Sequence, residues 1–225
     1  MNFLFNGVSL QNGRNSNMDS LILKRRLIDK KNTLLAVICD GVGGLTDGAY
    51  ASVKTVQMLN EWFNNARTVD RIGIRMRDTV LSINASIIAQ KKQKNIDTAT
   101  TMSALLLVEN DYYIVHVGDS RIYCYENDTL IALTNDDVSE TGKLTVYIGK
   151  AEDIFPQYYE GTTISKVFFM CSDGLYRQMD MDFLRGRLKI LNELTINEAM
   201  NVLPQFVISR GELDNISLAI VKTES

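Results

Sequence analysis

Four aspartates occupy the same kind of place in the chain. The run Leu34-Leu35-Ala36-Val37-Ile38-Cys39 leads straight into Asp40-Gly41, and Tyr112-Tyr113-Ile114-Val115-His116-Val117 leads into Gly118-Asp119. Val167-Phe168-Phe169-Met170-Cys171 leads into Ser172-Asp173-Gly174, while Asp214-Asn215 immediately precedes Ile216-Ser217-Leu218-Ala219-Ile220-Val221. Each carboxylate thus sits where an apolar run meets a tight turn. If those runs are neighbouring strands, the four carboxylates converge on one rim. Convergent carboxylates repel one another and raise each other's pKa unless a cation lies between them. Oxygen donors without histidine or a cysteine pair suit hard ions such as Mg²⁺ or Mn²⁺. The glycines let the backbone turn sharply and can leave carbonyls free to coordinate. Asp-Gly is also a common turn dipeptide. One such pair would say little, but four acidic strand ends point to a polyacidic metal site.

Composition narrows the rest. The chain has 225 residues, one large domain or two small ones at roughly 150 residues per domain. Lys and Arg total 24 against 27 Asp and Glu, a net charge of -3, which argues against nucleic acid as a partner. Apolar residues make up 45%, enough for a substantial core. The single histidine disfavours zinc sites and His-based triads. Three scattered cysteines, Cys39, Cys124 and Cys171, read as buried thiols in a reducing compartment. No apolar stretch of membrane-spanning length and no signal-peptide pattern is seen, so the expectation is a cytoplasmic single domain over residues 1–225, a monomer with no membrane partner.

Apolar runs rich in β-branched and aromatic residues recur at 21–28, 34–39, 102–108, 112–117, 121–125, 167–171 and 216–221, and read as strands. Glu109-Asn110-Asp111 and Glu126-Asn127-Asp128 look like hairpin connections, which makes the middle of the chain an antiparallel meander. Three segments have helical periodicity instead. Val56, Leu59 and Phe63 form a stripe within 49–64, and Ile72, Met76, Val80, Ile83 and Ile87 form a longer one. Thr195-Ile196-Asn197-Glu198 reads as a capping box before a stripe at Ile196, Met200, Leu203 and Val207, which Pro204 should kink or divide. Strict β-α alternation is missing. The expected class is therefore α+β, an antiparallel sandwich.

Taken in order, the motifs resemble the type 2C metal-dependent serine/threonine protein phosphatases, over nearly the whole chain. Arg14-x-x-Asn17-x-Asp19 is similar to that family's N-terminal motif. Asp40-Gly41-Val42-Gly43-Gly44, followed by Gly48 and Ala51-Ser52, resembles its glycine loop, and Ala99-Thr100-Thr101 its Gly-Thr-Thr strand start. Val117-Gly118-Asp119-Ser120-Arg121 matches without change, and Leu133-Thr134-x-Asp136 resembles a Leu-Thr-x-Asp-His-Ser block. Cys171-Ser172-Asp173-Gly174-Leu175 and Asp214-Asn215-Ile216-Ser217 are similar to the last two blocks. The resemblance implies a four-layer α-β-β-α sandwich of two antiparallel sheets flanked by helices. It implies hydrolysis of phosphoserine and phosphothreonine by metal-activated water at two or three Mn²⁺ or Mg²⁺ ions, opposing a bacterial serine/threonine kinase. Carried over by position, Asp40 bridges two ions, the Gly41 carbonyl is a ligand, and Asp173 and Asp214 hold the other ion. Asp119, with Asp173, matches the holders of a third ion. Arg14 matches the arginine that grips the phosphate, and Asp19 orients water. Two other readings share these residues: a non-catalytic phosphoprotein-binding module of the same fold, and a metal-dependent phosphatase of small phosphoesters.

Several positions depart from the family pattern. Met18 stands where Glu is frequent, Val42 where eukaryotic members often have His, and Ala49 where Glu is common. Asp137 and Val138 replace the His-Ser of the Leu-Thr-x-Asp-His-Ser block. Only seven residues separate Asp136 from Leu144-Thr145-Val146-Tyr147-Ile148-Gly149, so the flap beside the active site should be very short and the cleft more open. His116, Trp62 and the cysteines read as packed core residues, and Lys91-Lys92-Gln93-Lys94 as a solvated helix end that complements the helix dipole.

Overall fold

Period-two alternation of apolar side chains lets a strand bury both faces at once, and the central strands of this chain do so. The computed structural model describes residues 2–43, 45, 47–162 and 166–224; Gly44 of the glycine loop lies outside them. Among the described residues ten strands form two antiparallel five-stranded sheets. One contains β1 (Asn2–Leu10), β10 (Ile216–Glu224), β9 (Val167–Cys171), β6 (Arg121–Glu126) and β7 (Thr129–Ala132), in that order. The other contains β2 (Ser20–Ile28), β3 (Lys31–Cys39), β4 (Met102–Val108), β5 (Asp111–Val117) and β8 (Gln157–Thr162).

Along β3, Leu34, Ala36 and Ile38 face the opposite sheet, while Leu35, Val37 and Cys39 face α1 (Gly48–Asn65) and α2 (Ile72–Lys94). In the other sheet Phe168 and Met170 of β9 and Ala219 and Val221 of β10 point inward. Phe169, Cys171, Leu218 and Ile220 pack instead with α3 (Asp173–Tyr176), α4 (Met181–Lys189) and α5 (Glu193–Ile208). The result is helices, sheet, sheet, helices: the four-layer sandwich. Burying each of these large side chains contributes about 1.5–3 kcal/mol.

The helical stripes read from sequence hold, since Ile72, Met76, Val80, Ile83 and Ile87 are all buried on α2. Both hairpins form, the second through Asn127 and Asp128, with φ of 51° and 58°, the left-handed pair that suits a two-residue turn. Two readings need correction. The capping box belongs to Asn192 and Thr195, one turn before the one expected at Thr195 and Glu198, because Asn192 Oδ1 accepts from the Leu194 and Thr195 amides. Pro204 does not divide α5, which runs through it to Ile208; its ring is buried in the core, where packing offsets the missing hydrogen bond. Cys39 and Cys171 end strands of different sheets, and all three cysteines are free and buried, as read from the sequence. Among the described residues no helix is long and apolar enough to cross a membrane.

Candidate functional site

Both sheets deliver carboxylates to one end of the sandwich. Asp40 follows β3, Asp119 lies in the turn from β5 to β6, Asp173 opens α3 directly after β9, and Asp214 lies just before β10. All four line one cleft of about 380 Å³ together with Arg14, Gly41 and Arg177. The convergence that the sequence could only make conditional is therefore real, although the carboxylates come from strands of both sheets.

Residues in the matched motifs fix this geometry through backbone bonds. The Asp40 carbonyl accepts from the Thr101 amide at 2.8 Å and the Thr100 hydroxyl at 2.8 Å, and its own amide donates to Thr101 Oγ1 at 3.1 Å. The Thr100-Thr101 pair thus holds the end of β3 against the start of β4. Asn215 Nδ2 donates to the carbonyls of Gln11 (2.7 Å) and Ser16 (3.0 Å), and Asn215 Oδ1 accepts from the Met18 amide (2.9 Å). That single side chain ties the Arg14 loop to the Asp214 loop. Gly174 is required by close approach, because a Cβ there would stand 2.0 Å from the Asn215 carbonyl oxygen. Gly118 adopts φ of +109°, which turns the chain from β5 to Asp119 at a torsion that other residues rarely adopt.

The electrostatics are those of crowded acids. Burial, then the charges of Asp19, Asp173, Asp119 and Asp214, holds the Asp40 carboxyl well above the usual carboxylate range. Asp119 is pushed up to about 6, first by burial and next by Asp173. Asp19, at 7% exposure, is likewise pushed up to about 6, chiefly by burial; Ser172 Oγ donates to its Oδ2 at 3.0 Å, and among the described residues its Oδ1 has no hydrogen-bond partner. Asp173 is also raised, mainly by burial, although Arg177 opposes the shift. Asp214 is the exception: burial pushes it up, but the bonds from Arg14 and the Asn215 amide and the charges of Arg14 and Arg177 outweigh this, and the net direction is down.

The arginines explain how the carboxylates stand. Arg14 Nε and Nη2 donate to the two Asp214 oxygens at 2.8 and 2.7 Å, a bidentate fork. Arg177 pairs with Asp173 Oδ2 and reaches Asp214 Oδ2 at 3.7 Å. Among the described residues no three acidic, histidine or cysteine groups form a ready-made metal cage; Asp173 and Asp214 are paired with guanidinium groups. The donors still fit hard divalent cations. They are oxygen atoms only, and Asp40 lies among four like charges whose repulsion a cation would remove.

Arg177 was missed in the sequence. It lies four residues beyond Asp173 on a helix of a single turn, too short for any periodicity to mark it. Asp137, noted only as a departure, proves structural: its Oδ2 accepts from the Gly118 amide and its Oδ1 from Gln157 Nε2, both at 2.9 Å. The short flap is a tight turn in which the Ser139 amide donates to the Lys143 carbonyl at 2.8 Å; Gly142, Lys143 and Leu144 line the cleft. His116 is fully buried, its ring held by Ser103 Oγ and the carbonyls of Gly118 and Asn135. The Lys91-Lys94 run is more engaged than a solvated end: Lys91 Nζ donates to the Gly149 carbonyl at 2.9 Å and pairs with Asp97.

Residues 15–206 match the family model described as Protein phosphatase 2C, which spans well over half the chain. The chain belongs to this family. It is accordingly a metal-dependent hydrolase of phosphorylated proteins. The serine/threonine phosphatase stp of Listeria monocytogenes is 25% identical over 224 residues, 87% of each chain. The fold is that of solved family structures. A bacterial serine phosphatase superposes with a TM-score of 0.90 at 19% identity, covering 100% of this chain and 99% of the other. The catalytic domain of the serine/threonine protein phosphatase PstP, in complex with two manganese ions, does so with a TM-score of 0.83 at 22% identity, covering 98% and 97%.

Proposed function

We propose that this chain, acting as one catalytic domain, removes phosphoryl groups from phosphoserine and phosphothreonine in bacterial proteins, with Asp40, the Gly41 carbonyl, Asp173 and Asp214 holding two Mn²⁺ or Mg²⁺ ions. Asp119, with Asp173, would hold a third. Such ions, when bound, lower the pKa of water and offset charge on phosphoryl oxygens. The observation that carries this reading is the meeting of Asp40, Asp119, Asp173 and Asp214, from both sheets, with Arg14 in one cleft.

The chain's own groups then have defined tasks. Arg14 already displays the fork that a phosphoryl group needs, since the Asp214 carboxylate accepts its two parallel bonds as two phosphoryl oxygens would. Asp19 stands behind Asp40, and its unpartnered Oδ1 is suited to accept a hydrogen bond from water and so orient it. No protein nucleophile is called for: the only histidine is committed to Ser103, Gly118 and Asn135, away from the cleft. Catalysis rests on positioning and charge.

The opposing enzyme would be a serine/threonine kinase. Three buried free thiols suit a reducing cytoplasm, in which the chain would act as a monomer. Comparison of kcat/KM for a phosphothreonine peptide with that for sugar and nucleotide phosphates tests the substrate class. At least tenfold preference for the peptide is expected; equal or better turnover of small esters would replace the protein-phosphatase reading with a small-ester one.

A further inference from the structure

Arg177 has no assigned task in the reaction, yet it lies in the cleft with its side chain half exposed. It caps α3, and its backbone amide donates to the Asp173 carbonyl at 3.1 Å, so the main chain is fixed independently of the side-chain pairing. Its partners are Asp173, at i,i+4, and Asp214. Arg177 is half exposed but Asp173 is buried, so in the cation-free protein the guanidinium offsets the charge of a carboxylate that water does not reach freely. Those same carboxylates are two of the groups proposed to hold cations. A cation bound there would compete for Asp173 and Asp214 and leave Arg177 without its partners.

Distances show what the released side chain could reach. Arg14 Nη2 lies 2.7 Å from Asp214 Oδ2, and Arg177 Nη1 lies 3.7 Å from the same oxygen. The two guanidinium nitrogens are therefore no more than about 6.4 Å apart, the sum of the two lengths. A tetrahedral phosphoryl group accepting charge-assisted bonds of about 2.8 Å on two of its oxygens spans a gap of that size. Asp214 is at present the anion between two guanidiniums.

We propose that Arg177 is a second phosphate-gripping arginine, which works with Arg14 on the same phosphoryl group and is parked on Asp173 and Asp214 until those carboxylates take up cations. The proposal rests on the phosphatase reading of the cleft. It makes the site a two-arginine clamp selective for a dianionic phosphomonoester over a singly charged phosphodiester.

The test compares wild type, Arg177→Ala and Arg177→Lys in saturating Mn²⁺. The readouts are KM and kcat on a phosphothreonine peptide, inorganic phosphate binding to the Mn²⁺-loaded protein by calorimetry, and Mn²⁺ binding in the absence of phosphate. Arg177→Ala is expected to raise KM and to weaken phosphate binding about tenfold each, with kcat changed less, and to bind Mn²⁺ as tightly as wild type or more tightly. Arg177→Lys should recover part of the loss, because lysine keeps the charge and not the fork. Unchanged KM and phosphate binding in Arg177→Ala would overturn the proposal, as would weakened Mn²⁺ binding that accounts for the whole loss. Absence of peptide turnover in wild type would instead count against the phosphatase reading, while the phosphate calorimetry would still decide the role of Arg177.

Discussion

Replacing Asp19 by asparagine should stabilise the metal-free protein at pH 8 while lowering its activity. Burial raises the Asp19 carboxyl from 3.8 to about 6 in the folded state. A raised carboxyl favours the fold fully below the unfolded value near 4, and that contribution is lost as pH climbs through about 6. At 1.36 kcal/mol per pH unit, the cost of ionising Asp19 in the metal-free fold is about 3 kcal/mol by pH 8. Asparagine avoids it. Its carbonyl can take the bond that Ser172 Oγ donates to Oδ2, and its amide can donate from the place of the unpartnered Oδ1 or toward Asp40. For a chain of this size, about 3 kcal/mol corresponds to roughly 6–12 °C in Tm. Thermal melts in EDTA at pH 4.5 and pH 8 read the effect. The variant should gain several degrees over wild type at pH 8 and about a third as much at pH 4.5, where the unfolded carboxyl is already mostly ionised, with the gain shrinking in Mn²⁺. A variant less stable than wild type at pH 8, or an offset equal at both pH values, would refute the assignment of charge strain to this cluster.

Three other outcomes follow from the same geometry. Arg14→Ala should raise KM for a phosphothreonine peptide by about 10–100-fold, because a charge-assisted bond contributes about 1.5–3 kcal/mol, and steady-state kinetics would show it. Gly174→Ala must push α3 away from the Asp214-Asn215 loop, since the new Cβ would fall 2.0 Å from a carbonyl oxygen; a lower Tm and weaker Mn²⁺ binding by calorimetry are expected. Asp137→Ala removes the partner of the Gly118 amide and should cost about 1–3 kcal/mol, read as a loss of several degrees in Tm.

The strands that carry the site were legible because each is an apolar run beside an acidic turn, which follows β3, β5 and β9 and precedes β10. The strands that escaped notice are at sheet edges. β1 contains Asn6-Gly7, which reads as a turn, and β8 exposes Glu160 and Thr162; only pairing with β10 and β5 makes them strands. The residues Arg14, Asp19, Asp40, Gly41, Asp119, Asp173 and Asp214 stood out through their motifs, and all but the buried Asp19 line the cleft. What no motif could show is how they pair. That Arg14 rests on Asp214, that Arg177 joins it, and that Asp137 pins Gly118 are consequences of loops brought together from distant parts of the chain. The capping box at Asn192 was displaced by a similar pattern one turn later, where both choices satisfy the local rule and the packing of Leu191 and Ile196 decides.

The most direct measurement is phosphate release from a phosphothreonine peptide with Mn²⁺, with and without EDTA, beside Asp40→Asn. If the cleft carboxylates hold the ions that drive dephosphorylation, release is metal-dependent, abolished by EDTA, and reduced at least a hundredfold in a folded Asp40→Asn protein. Release that persists in EDTA, or that survives in Asp40→Asn at the wild-type rate, would place the chemistry elsewhere.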